Sequence, residues 1–424
     1  MSLNTTPSAE RLHIGIFGRR NAGKSSVINA LTGQNLAIVS EVKGTTTDPV
    51  LKAMELLPLG PVVMIDTPGL DDEGELGALR IQKAYQTLNK TDIALLVLDG
   101  SETLTEADTA ILRKIQEKQI PFAVVLNKSD LLPSDNSGES RDKRKKELEQ
   151  ALEKEGVSAD CRLWVSAEKG FHIWELKERI AGLIPENKPE LPIAGDLVSP
   201  GDFVVLVVPI DKSAPKGRLI LPQQQTIRDL LDHGAVPVVT RDTELAETLE
   251  HLGKTPALVI TDSQAFQKVS QIVPEEIPLT SFSILFARYK GNLRTLTAGA
   301  AYLDRLEDDD LVLISEGCTH HRQCEDIGTV KLPRWIEKHT NKKIRFAFTS
   351  GTEFPTDLSP YAMIIHCGGC TLNEREMKYR LSCAQNQGVP MTNYGILIAY
   401  VKGILKRSVE VFPEIESLLD AAGK

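Results

Sequence analysis

Cysteine is scarce in this chain, at six residues in 424, and nothing marks the sequence as secreted, so it does not read as a disulfide-stapled scaffold. Basic charge is also in deficit. Lys and Arg number 49 against 58 Asp and Glu, a formal net charge of -9, which argues against the basic face that broad nucleic-acid binding needs. Long hydrophobic runs are missing too: 203–210 and 284–287 are strand-sized, far short of the roughly 20 apolar residues of a membrane-spanning helix. Residues 1–10 are polar and lack the basic start and apolar core of a signal peptide. The expectation is a cytoplasmic protein with neither membrane nor nucleic acid among its partners.

The composition that remains, 41% hydrophobic and 25% charged, suits a globular chain of two or three domains. Its few cysteines are clustered. Cys318-Thr319-His320-His321 and His366-Cys367-Gly368-Gly369-Cys370 each follow a short apolar run, 311–315 and 361–365, that reads as a buried parallel strand. Ligands of open α/β sheets sit beyond the carboxyl ends of the strands, so both clusters should reach one edge. Two cysteines separated by two glycines can turn both sulfurs toward one centre without a Cβ clash. Thiolates in this number suit iron-sulfur chemistry or a structural zinc site of Cys3His type. Cys161 and Cys383 fall inside ordinary element patterns and read as core residues, and Cys324 is a further thiol of undecided role.

Near the N-terminus, a strand at 12–17 runs into Gly18-Arg19-Arg20-Asn21-Ala22-Gly23-Lys24-Ser25 and a helix from Ser26 to Leu31. This is the phosphate-binding loop in its required strand-loop-helix setting: loop and helix amides cradle phosphates, Lys24 reaches the β- and γ-phosphates, and Ser25 ligates Mg2+. Further strands are followed by Asp66-Thr67-Pro68-Gly69, by Asn127-Lys128-Ser129-Asp130 and by Ser166-Ala167. In order and spacing these resemble the signatures of translation-factor-related GTPases. The resemblance implies that Asp66 holds Mg2+ through water, that the Gly69 amide senses the γ-phosphate and that Asp130 selects the base. A carboxylate there accepts from guanine N1-H and the 2-amino group, which adenine lacks, so the nucleotide should be GTP. Similarity to the Gly-Thr-Thr-Arg-Asp pattern of bacterial GTPases assigns the switch threonine to Thr46, which otherwise reads as part of a polar turn.

Two departures bear on hydrolysis. Leu70 stands where Ras-like enzymes carry a water-orienting glutamine, which implies slow intrinsic turnover. Asn21 resembles the asparagine of the potassium-activated tRNA-modification GTPase, where K+ beside the phosphates replaces an arginine finger; an ordinary loop asparagine is the competing reading.

Residues 185–200 are proline-rich and read as a linker. Beyond them, alternating strands and helices predict a small parallel sheet of three strands without chemistry of its own, whose exposed edges suit a homodimer. The expected architecture is α/β throughout, in three domains: a Ras-like P-loop GTPase at 10–184, a small α/β dimerisation domain at 185–274, and a doubly wound α/β metal-cluster domain at 275–424.

Taken together, the GTPase signatures, the middle α/β segment and the Cys-x-His…His-Cys-x-x-Cys pattern resemble the HydF family of [FeFe]-hydrogenase maturation GTPases over essentially the whole chain. The resemblance implies a [4Fe-4S] cluster on Cys318, Cys367 and Cys370, with a fourth position that is open or held by an exchangeable group. His320, His321, His366 and Asp326 all qualify for it chemically. It further implies a diiron subcluster precursor as cargo, made with the maturases HydE and HydG and delivered to the hydrogenase catalytic subunit. A ribosome- or tRNA-associated GTPase with a zinc-bearing tail is the alternative.

Overall fold

Ile93-Ala94-Leu95-Leu96-Val97-Leu98 is apolar at every position, the pattern of a strand covered on both faces. In the computed structural model it is the middle of a six-stranded sheet. Residues 6–33, 49–70, 75–132, 139–184, 191–210, 219–318, 326–351 and 353–422 are described. Thr46, His320, His321 and Cys324 lie outside them. The chain divides into two compact units, Met1–Lys188 and Pro189–Lys424.

In the first unit the strands are β1 (Leu12–Phe17), β2 (Val50–Leu56), β3 (Gly60–Asp66), β4 (Ile93–Asp99), β5 (Phe122–Asn127) and β6 (Arg162–Trp164), in spatial order β2-β3-β1-β4-β5-β6. Only β2 runs antiparallel to its neighbour. Alternation along β4 sends Ile93, Leu95 and Val97 into one core with Val27, Ile28 and Leu176, and Ala94, Leu96 and Leu98 into another with Leu88, Ile111 and Leu152. Helices therefore cover both faces, and the carboxyl edge of the sheet is left to the loops.

The second unit carries β7 (Phe203–Val207), β8 (Val236–Thr240), β9 (Leu258–Thr261), β10 (Leu279–Ser281), β11 (Leu311–Glu316), β12 (Arg345–Ser350), β13 (Met363–His366) and β14 (Met391–Asn393). They form two four-stranded parallel sheets, β10-β9-β7-β8 and β12-β11-β13-β14. The expected three-stranded sheet gains a strand because Leu279 pairs with Val259. That strand lies past the division placed at 274/275 from the sequence.

Both sheets pack on one core: Val204, Leu206 and Ile260 share it with Leu313, Ile364 and Met391, bridged by Phe282, Leu285 and Phe286 of helix Phe282–Lys290. Two helices follow β14, Tyr394–Val401 and Leu405–Val409. The break is at Gly403, whose φ of 71° takes the chain out of the helix. Among the described residues no helix is long and apolar enough to cross a membrane.

Candidate functional site

The phosphate loop leaves β1 and enters helix Lys24–Thr32. Glycine is required twice. A Cβ on Gly18, at φ 144°, would sit 2.2 Å from the Val97 carbonyl, and one on Gly23, at φ 92°, would sit 2.2 Å from Asn127 Nδ2. Asn21 is exposed at φ 58°, a left-handed geometry that asparagine tolerates better than most residues. The Lys24 ammonium is buried and donates to the carbonyls of Gly18 (2.8 Å) and Arg19 (2.7 Å), so it lies over the cradle that phosphates would fill. Beside it the Ser25 hydroxyl donates to Asp66 Oδ2 at 3.0 Å. Burial raises the Asp66 carboxyl above its ordinary range, against the opposing pull of Ser25 and Lys24. A hydroxyl and a carboxylate meeting beside a buried ammonium are the donor set that Mg2+ and a polyphosphate need.

The base side is joined to this loop by Asn127. Its Nδ2 donates to the Ala22 carbonyl (3.1 Å) and its Oδ1 accepts from the Ala167 amide (3.1 Å), so one side chain ties the phosphate loop to the Ser166-Ala167 turn. Ser166 Oγ donates to Asp130 Oδ1 and aims that carboxylate. Lys128, at φ 60°, pairs with Asp99 Oδ2 at 2.7 Å. Burial alone would raise the Asp99 carboxyl, but hydrogen bonds from Lys128 and Ser101 hold it below the usual range. Asn127, Lys128, Asp130, Ser166 and Ala167 thus lie together at the carboxyl edge of the sheet. Asp99 was missed; its signal is an acid closing an apolar strand at the carboxyl edge.

Gly69 lies against Arg20, where a Cβ would come within 3.0 Å of the Arg20 amide. The next side chain, Leu70, is buried with Phe17, Leu96 and Ile111. It points into the core and carries no group that could orient water. Arg19 is likewise committed, its guanidinium held by Glu102 (2.9 Å) and Asp108 (3.0 Å).

In the second unit, β11 and β13 are adjacent and parallel, with Ser315 opposite His366. Their carboxyl ends deliver Gly317-Cys318 and Cys367-Gly368-Gly369-Cys370 side by side. The Gly317 amide donates to Cys367 Sγ at 3.0 Å, the Gly369 amide donates to the same sulfur at 3.4 Å, and Thr371 Oγ1 donates to the Gly317 carbonyl at 2.9 Å. Gly369 has φ 61°, and a Cβ there would strike Met377 Sδ at 2.5 Å. Burial pushes the Cys367 thiol up to about 11 and raises Cys370 as well. A thiol so placed gives up its proton to a metal rather than to water at neutral pH.

Lys290, 2% exposed, points its ammonium at the carbonyls of Gly369 (3.5 Å), Cys370 (3.2 Å) and Leu372 (2.9 Å). Sequence reading passed over it because a lysine closing an apolar helix reads as an exposed end.

His366 is fully buried, with Nδ1 2.7 Å from the Cys367 carbonyl and Nε2 3.0 Å from Arg380 Nη1. Burial, aided by that guanidinium, pushes the imidazole down to about 3. Both ring nitrogens are thus engaged within the protein. Asp326 caps its own turn by accepting from Thr329 N (2.9 Å) and Oγ1 (3.1 Å). Among the described residues no group of three or more His, Cys, Asp or Glu closes around a metal position. Sulfur donors with amide hydrogen bonds and a nearby ammonium are chemically suited to an anionic iron-sulfur cluster.

Family models match in three places: the hydrogen maturase F dimerization domain over 193–291, the hydrogen maturase F tetramerization domain over 294–411, and the 50S ribosome-binding GTPase over 13–128. GTPase Der of Wolinella succinogenes is 36% identical over 184 residues, 43% of this chain and 37% of that protein. The tRNA modification GTPase MnmE of Laribacter hongkongensis is 38% identical over 123 residues, 29% of this chain and 27% of that protein. The chain therefore spans well under half the length of these curated relatives. Among solved structures, a variant of Aquifex aeolicus Era bound to GDP·AlF4- aligns at 22% identity and a TM-score of 0.36, covering 54% of this chain and 92% of that one.

Proposed function

Because the chain belongs to the hydrogen maturase F family and carries a GTPase domain, we propose that it hydrolyses GTP and serves as an iron-sulfur scaffold in [FeFe]-hydrogenase maturation. In this reading Cys318, Cys367 and Cys370 hold a [4Fe-4S] cluster. A diiron subcluster precursor is its cargo, received with HydE and HydG and passed to the hydrogenase catalytic subunit in the cytoplasm. The observation that carries it is the arrival of all three cysteines on neighbouring strand ends, with the Gly317 amide already donating to Cys367 Sγ at 3.0 Å.

Each residue has a task in this reading. In the nucleotide pocket Asp130 reads guanine, Asn127 keeps base and phosphate subsites in register, Lys24 neutralises the phosphates, and Ser25 and Asp66, joined by Thr46, hold Mg2+. Gly18, Ala22, Gly23 and Ser26 contribute backbone to the cradle, Gly69 senses the γ-phosphate, and Asn21 holds K+. K+ would add to Lys24 and Mg2+ in offsetting charge that develops on the phosphates. In the second unit, amides from Gly317 and Gly369 and the Lys290 ammonium offset thiolate charge. His320 and His321 are chemically able to take an exchangeable fourth position. When bound, a cluster on three thiolates supplies one iron with a replaceable ligand, to which a second metal fragment can attach.

Anaerobic reconstitution followed by metal analysis and EPR tests the reading. About four irons per chain and a reduced-cluster signal are expected. Stoichiometric zinc with no such signal overturns it in favour of a GTPase with a structural zinc tail.

A further inference from the structure

Helix Glu374–Asn386 buries a guanidinium directly behind the cysteine loop. Met377, Arg380, Leu381 and Ala384 recur at helical spacing and are its buried stripe, so Arg380 occupies a position that would ordinarily be apolar. It is 0% exposed. Each of its three nitrogens has a partner: Nε donates to Glu376 Oε1 at 3.0 Å, Nη2 to the Gly351 carbonyl at 2.8 Å, and Nη1 to His366 Nε2 at 3.0 Å, with Ser315 Oγ at 3.4 Å.

The tautomer of His366 follows from its two partners. A guanidinium has no lone pair, so His366 Nε2 must be the acceptor of that hydrogen bond. A carbonyl has no proton, so Nδ1 must carry one and donate it to Cys367 O. The imidazole is therefore neutral and fully used: one edge orients the peptide that carries Cys367, and the other gives its only lone pair to Arg380. A metal could reach Nε2 only after that charge-assisted bond broke, and it would then face the guanidinium's positive charge.

Resting on the metal-site reading above, we infer that Arg380 is a specificity-determining positioning residue, which takes the His366 lone pair and so keeps the His366 imidazole out of the metal site. The consequence is chemical. Mixed cysteine and histidine donors suit zinc, whereas thiolates without that imidazole favour an iron-sulfur cluster. A histidine next to a ligating cysteine would otherwise be a standing invitation to zinc.

The test loads the full-length protein with zinc and counts its ligands by X-ray absorption, in which imidazole has its own scattering signature. Wild type and His366→Ala should show the same nitrogen count. Arg380→Met combined with Glu376→Gln, which leaves no unpaired buried carboxylate, should gain one imidazole and lose it again when His366→Ala is added. In reconstitution from equal iron and zinc, the Arg380→Met/Glu376→Gln protein should shift its metal content toward zinc. An imidazole already present in wild type and lost in His366→Ala overturns the inference, as does a folded Arg380→Met/Glu376→Gln protein with no added nitrogen. If that protein does not fold, comparison of wild type with His366→Ala still decides. A wild type that takes up neither iron nor zinc on its cysteines removes the metal-site reading itself, and the inference with it.

Discussion

At Asp130, the carboxylate proposed to read guanine accepts a hydrogen bond from Ser166 Oγ. Hydrogen bonds to charged groups contribute about 1.5–3 kcal/mol each, so Asp130→Asn should weaken GTP binding roughly a hundredfold. An asparagine amide can instead donate to the 2-carbonyl of xanthine, and the variant should prefer xanthosine triphosphate in a direct titration. Equal affinity of the wild type for ATP and GTP would refute the guanine assignment. Lys24→Ala should abolish turnover while leaving the melting temperature nearly unchanged, since the bonds it loses in the fold are to loop carbonyls. These residues could be read from sequence because each lies in a motif whose spacing carries the chemistry. Lys290 and Arg380 could not. A charged side chain on an apolar stripe has no local mark distinguishing it from a solvated one, and its partners are supplied by distant segments.

Strand ends organise the chemistry at the scale of elements. Adjacency of β11 and β13 was legible from two apolar runs followed by cysteines, but the hydrogen bonds from Gly317 and Gly369 to one sulfur depend on how two loops some 50 residues apart meet beyond the strands. Serine at Cys318, Cys367 or Cys370 should deplete iron after reconstitution, whereas serine at Cys161 or Cys383 should not; GTP hydrolysis should be unaffected throughout. Loss of iron from the Cys161 or Cys383 variants instead would show that the ligand set is misassigned. Helix Phe282–Lys290 adds a second contribution through Lys290. Replacing an outer partner of a metal site costs roughly 10–100-fold in affinity, so Lys290→Met should lose iron to a chelator faster by about that factor, with Lys290→Arg intermediate.

A different tie gives a pH signature. Tyr400 donates to Asp304, which His339 Nε2 also contacts at 2.8 Å, linking helix Tyr394–Val401 to the segment Ala301–Arg305. Burial and the bond to Asp304 push the phenol up to about 12. A phenol whose value is raised on folding stabilises the fold fully below its unfolded value near 10, and that contribution is lost as pH climbs from there to about 12. Chemical denaturation of Tyr400→Phe should therefore lose stability less steeply than wild type over that range; parallel curves would show that the bond does not form in solution.

Over the whole molecule, the α/β architecture was legible and the packing within the second half was not. Alternating strands and helices foretold parallel α/β sheets, but Thr280 donating to the Ser408 carbonyl and Arg407 to those of Ser270, Val273 and Pro274 join segments more than 120 residues apart, and periodicity cannot report such contacts. Because both sheets share one core, deleting 200–275 would expose that core, and a test of assembly has to use point changes.

The edge strand β8 is the place for one. Its burial pattern is open on both faces, with Val236 39% and Val239 47% exposed, in the segment that matches a dimerization domain. Val236 N-H donates to Asp202 and Thr240 O accepts from Val208, so by alternation Pro237 and Val239 turn their backbone outward. Pro237 has no amide hydrogen, which leaves Val239 as the outward donor in the middle of the strand. A second copy pairing along this edge would cover the valines and use that donor. Val239→Lys should shift the sedimenting species to a smaller assembly, down to the 46.6 kDa single chain if this edge is the only contact, with GTP hydrolysis unchanged. Val239→Pro should do the same by removing the donor without adding charge. Unaltered sedimentation of both variants would place the contact on another surface of the second unit.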